Sequence, residues 1–116
     1  MNQRIRLSDA LTRLEAAMRA ADIWRQPTPS PQAFASLEPF ALDSMEMAQW
    51  LRFVFVARLR TMLASAQSLP QGSSVAAAAE VYLPQMSMGA RLPVIEVLRE
   101  IDLILNDEEG APPAVH

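Results

Sequence analysis

Proline decides where this chain can be regular. Nine prolines stand at positions 27, 29, 31, 39, 70, 84, 93, 112 and 113. Each fixes φ and removes a backbone donor, so helix interiors are confined to the stretches between them. Those stretches carry apolar residues at three- and four-residue spacing, and none carries strand-like alternation. The chain of 116 residues is one domain's worth.

Residues 3–24 read as the first helix, with Leu7, Ala10, Leu11, Leu14, Ala17, Met18 and Ala21 on one face. Residues 43–66 read as the second. Asp43 is placed to cap it, with Glu46 three residues on, a capping-box variant with Asp in place of Ser or Thr. Within it Trp50, Leu51, Phe53, Val54, Phe55 and Val56 are apolar nearly all round, which requires a central place in the bundle or a covered face. Residues 67–74 read as a loop by their Pro, Gly and Ser content. A short alanine-rich helix follows over 75–83, stopped by Pro84. The last helix starts somewhere in 88–93 and reaches about Asn106, with Pro93 in its first turn and Val94, Val97, Leu98, Ile101, Ile104 and Leu105 as its core stripe. The expected fold is all-α. It is an irregular four-helix bundle over 3–107, with a long Pro-rich ordered loop between helices one and two and a disordered tail at 108–116.

That loop, residues 25–42, is long for so small a domain, and such loops are usually functional or packed down by their own side chains. Phe34, Leu37 and Phe40 are its expected apolar anchors. Trp24, Phe34, Phe40, Met45 and Trp50, with Phe53 and Phe55, cluster around it and the start of helix two. They either complete the core or form a partner groove, and core and interface use the same residue types.

The composition removes most familiar chemistry. There is no Cys, all ten basic residues are Arg, and the single His is the terminal His116. Thiolate chemistry, Schiff bases and His-centred triads lack their residues. Three glycines make no phosphate-binding loop. Asp43, Glu46 and Asp102 lack the Glu-x-x-His pattern of bundle metal sites. No cofactor and no catalytic residue is expected. A net charge of −3 disfavours direct nucleic-acid binding. The longest apolar runs, Phe53–Ala57 and Val75–Ala79, are far short of a membrane span, and the charged N-terminal stretch reads as no signal peptide. The expectation is a cytoplasmic protein, monomeric or homodimeric.

Arg58 is the most informative charge. At helical spacing it shares a stripe with Met47, Leu51, Val54 and Met62, and a guanidinium buried there needs a partner. Asp102, beside Ile95 and Leu98, is the best candidate. The pair is read either as a structural ion pair between helices two and four or as the mouth of a pocket for a small anionic ligand.

The run from Trp24 to PFALDSMEMAQWLRFVFVARL resembles the YqcC-like proteins, small bacterial helical proteins. Matching positions are Trp24, Arg25, Phe34, Pro39, Phe40, Asp43, Met45, Glu46, Trp50, Leu51, Val54 and Arg58, with Leu69–Pro70 and Leu98…Ile101–Asp102 beyond them. Ala57 stands where family members often carry a proline near the end of helix two. The resemblance spans about residues 3–107. It implies four helices and no catalytic residues. It also implies an accessory role beside a tRNA pseudouridine synthase, whose gene often lies nearby. The function expected is therefore a non-catalytic interaction protein with a protein partner, an RNA-modification enzyme among the candidates.

Overall fold

The computed structural model describes residues 2–65 and 67–106. The expected tail at 108–116, with His116, lies outside them. Among the described residues every regular element is helical.

Helix α1, Gln3–Ala20, starts on Asn2, whose side chain accepts the Ile5 N–H at 3.0 Å. It stops four residues earlier than its apolar pattern suggests. Asp22 turns left-handed at φ 61°. Its N–H then reaches the Arg19 carbonyl at 3.1 Å, and the Ile23 N–H reaches that of Met18 at 2.9 Å. This is a Schellman closure with Asp where glycine is usual. Ile23 and Trp24 remain buried, but as the first residues of the loop.

The Pro-rich loop is ordered by two 3₁₀ turns, Ala33–Ala35 and Pro39–Ala41. Of its three expected anchors one holds. Phe34 is half-exposed and Leu37 fully exposed, while Phe40 packs on the main core. The loop is pinned by smaller residues: Ala33, Ala41 and Met45 form a separate buried cluster against Trp50 and Val54. The Ser44 hydroxyl adds a hydrogen bond to the Ala33 carbonyl at 3.0 Å.

Helix α2 is one continuous element in three segments: α-helical Met47–Trp50, π-helical Leu51–Val56 and α-helical Ala57–Ala64. It is capped by Glu46, whose N–H donates to Gln49 Oε1 at 3.0 Å. Asp43 is not the cap, because burial of Met45 keeps the chain irregular to that point. Asp43 instead accepts the Ser36 hydroxyl and ties the loop together. The π segment ends directly before Ala57. By adding a residue to the turn, it rotates everything after it by about 100° relative to an unbroken α-helix. The buried stripe therefore runs Met47, Leu51, Phe55, Leu59, and Arg58 is turned outward.

Helix α3 is Val75–Tyr82 and helix α4 is Met88–Asn106. Pro93 sits in the second turn of α4, not the first. Its missing donor leaves one carbonyl, that of exposed Gly89, without its helical partner. The core joins α1 to α4 along Leu7, Leu11, Leu14, Leu98, Ile101 and Ile104, all at most 1% exposed. Helix α3 packs on α4, and the second half of α2 packs on α1. Arg4 ties α1 to the end of α2: its guanidinium donates to the carbonyls of Met62, Ser65 and Gln67 at 2.6, 2.8 and 3.0 Å. No helix among the described residues is long and apolar enough to cross a membrane.

Candidate functional site

Three side chains from the loop and α2 stack into one aromatic wall. Phe40 meets Trp50 edge-on, centroids 5.0 Å apart at 80°, and Trp50 lies over Phe55 at 5.5 Å and 23°. Phe40 holds this pose at φ 59°, a left-handed conformation that a bulky residue adopts only under tertiary constraint. The wall borders an open groove of about 430 Å³, closed on the far side by Gly72, Ser73, Ser74 and Val75.

The far side is rigid because α4 holds it. Asp102, buried on α4, accepts the Val75 N–H at 3.0 Å, the Ala76 N–H at 2.9 Å and the Ser73 hydroxyl. It thus caps α3 from a different helix, supplying the acceptor that Ser74 at the N-cap position does not. Asn106 brackets Ser73, accepting its N–H at 2.8 Å and donating to its carbonyl at 3.0 Å. Gly72 turns at φ 89°, where a side chain would strain the backbone.

The expected Arg58–Asp102 ion pair is not formed. Asp102 is occupied by the start of α3, and the π segment has turned Arg58 to the surface. Among the described residues Arg58 is the one charged side chain lining the groove, and it makes no hydrogen bond or ion pair with any of them.

Of the residues expected to form one surface, the structure brings Phe40 and Trp50 together, and Arg58, expected in a separate ion pair or ligand pocket, lines the same groove. Trp24 is buried elsewhere, beneath Arg52 and Arg19, whose guanidinium carbons lie 4.8 and 5.6 Å from its ring centre. Arg52 also donates to the Trp24 carbonyl at 2.9 Å. Met45 belongs to the loop's own cluster, and Phe34 does not line the groove. Phe55, from the aromatic set expected there, joins the wall, and Ser73 and Ser74, outside every expected set, complete the site. Their signal was the QGSS run ahead of an alanine-rich helix, with an Asp on the apolar stripe of the next one.

Chemically the described lining residues offer one guanidinium and two serine hydroxyls on an apolar floor, with no carboxylate or imidazole among them. Among the described residues no three His, Cys, Asp or Glu side chains could hold a metal ion. The arrangement can bind an apolar group and neutralise one negative charge.

Comparison with known proteins agrees in one direction. Residues 6–104 match the family DUF446, described as tRNA pseudouridine synthase C. The chain is 32% identical to the uncharacterized protein YqcC of Escherichia coli K12 over 111 residues, 92% of this chain and 95% of that one. It is 37% identical over 60 residues to an uncharacterized protein of Haemophilus influenzae, covering 52% of this chain and 57% of the other. It is 35% identical over 71 residues, 61% of this chain, to a segment making up 19% of a tRNA pseudouridine synthase C from Pectobacterium carotovorum. No solved structure matches it. Matched along most of its length by family and by YqcC, the chain belongs to the YqcC-like family, DUF446.

Proposed function

We propose that this chain is a non-catalytic cytoplasmic accessory that docks on a tRNA pseudouridine synthase. The observation that carries the reading is the Pectobacterium protein. There a segment similar to this chain is a fifth of a protein bearing the synthase name. Covalent linkage keeps a module at high effective concentration beside its enzyme, and a separate chain must replace that linkage with affinity. The aromatic groove is a surface suited to such affinity, since buried Trp and Arg dominate interface energies. With a net charge of −3, the chain leaves contact with tRNA phosphates to the enzyme.

The test combines purified tRNA pseudouridine synthase C with its substrate tRNA, with and without this chain. The expected result is a changed yield or rate of pseudouridine formation when the chain is added, and no formation by the chain alone. An unchanged rate together with no complex on size exclusion would overturn the reading.

A second reading is a binder of small anionic ligands. It is favoured by Arg58, which pairs with no described residue, in a groove whose volume falls in the range of small-molecule sites. A carboxylic acid retained through purification, seen by native mass spectrometry and lost in Arg58→Gln, would support it.

A further inference from the structure

We infer that the groove selects its occupant by charge: it takes a partner segment in which an Asp or Glu side chain is flanked by apolar residues, with the carboxylate seated on Arg58. The inference rests on the reading of the chain as a docking accessory and adds what the docked segment must contain. The argument is charge complementarity. In the free protein Arg58 is solvated and needs no partner. An apolar segment laid over Phe40, Trp50 and Phe55 would strip water from Arg58 as well, because all four line the same groove. A guanidinium buried without an anion is strongly unfavourable, whereas one paired with a carboxylate is a strong, directional contact. Within the fold, the carboxylate expected to serve Arg58 is that of Asp102, and it is held by Ser73, Val75 and Ala76. Among the described residues no other lining side chain is charged. A carboxylate brought by the occupant is the complement that this guanidinium lacks among the described residues. The two demands are joined: the apolar wall supplies affinity, and Arg58 rejects segments that bring no anion.

The test uses the full chain and two fluorescein-labelled peptides, blocked at both ends, with Leu and Phe flanking a central Asp in one and Asn in the other. Fluorescence anisotropy is the readout. The expected result is binding of the Asp peptide about tenfold tighter than the Asn peptide. Arg58→Gln should remove that preference and Arg58→Lys restore part of it. Circular dichroism melts of the variants should match wild type, since Arg58 is exposed. Equal affinity for the two peptides, or a preference that survives Arg58→Gln, overturns the inference. So does a groove that binds decanoate but neither peptide, or one filled by a second copy of the chain, seen as a dimer by light scattering. If peptide preference is absent while the synthase still binds, this inference fails alone. If the preference is present and no synthase complex forms, the docking reading fails and the charge selection stands.

Discussion

Asp102 Oδ1 accepts the Val75 N–H at 3.0 Å across 27 residues of chain, so the last helix caps the start of its neighbour. Removing this carboxylate strands the Val75 and Ala76 donors in a buried setting. Asp102→Ala should cost about 2–3 kcal/mol, more than an ordinary surface cap, and Asp102→Asn about half as much. Urea unfolding measures both. A loss under about 0.5 kcal/mol for the alanine variant would mean that the cap contributes little.

Arg4 does the opposite service at the other end of the same connection, where its guanidinium meets three carbonyls at the close of α2. A cation there satisfies orphan acceptors and opposes the helix dipole. Arg4→Met should cost about 1–2 kcal/mol. Amide exchange should speed up in the last turn of α2 before it does elsewhere. Uniform exchange across α2 in the variant would contradict a local clamp.

Arg13 joins α1 to α4 through a two-pronged contact with Glu100, both bonds at 2.7 Å. The hydrogen bond from Arg13 holds the Glu100 carboxyl below its ordinary range. A lowered carboxylate pKa stabilises the fold above the ordinary carboxylate range, and that stability fades as pH falls through the depressed value. Arg13 is raised further from any accessible pH and adds no pH dependence of its own. Both side chains are 45% exposed, so the pair should contribute only about 0.5–1 kcal/mol near neutral pH. A double-mutant cycle with Arg13→Gln and Glu100→Gln should show that coupling and lose it in acid. Coupling that persists in acid would contradict the assignment.

Leu37 and Phe34 illustrate where pattern misleads. Leu37→Ser should change stability by less than about 0.5 kcal/mol, whereas Met45→Ala should cost about 2 kcal/mol or more, because only Met45 is buried. Thermal melts of the two variants distinguish them, and equal losses would contradict the anchoring described here.

Helices α1, α3 and α4 were legible because their apolar residues keep one period through Leu7–Met18, Val75–Ala79 and Val94–Leu105. Their ends were less so. Asp22 closes α1 in a conformation that its residue type does not announce, while Ile23 and Trp24 prolong the apolar pattern beyond it. Met45 delays α2 through a tertiary contact that no local cap signal contains. The misplaced Arg58 has a single cause. Helical spacing at 3.6 residues per turn places it on the inward stripe, whereas Leu51–Val56 winds more slowly. Asp102, expected only as the partner of Arg58, is buried and takes the Ser73 hydroxyl and two backbone donors instead, and backbone donors are partners that a sequence does not display.

Isothermal titration of the synthase with this chain addresses the central claim most directly. The expected result is a one-to-one complex whose affinity falls at least about tenfold with Arg58→Gln and with Trp50→Ala, both variants remaining folded. A complex of unchanged affinity in both variants would contradict docking through the groove, and no heat of binding with the wild-type chain, together with no complex on size exclusion, would contradict the accessory role itself.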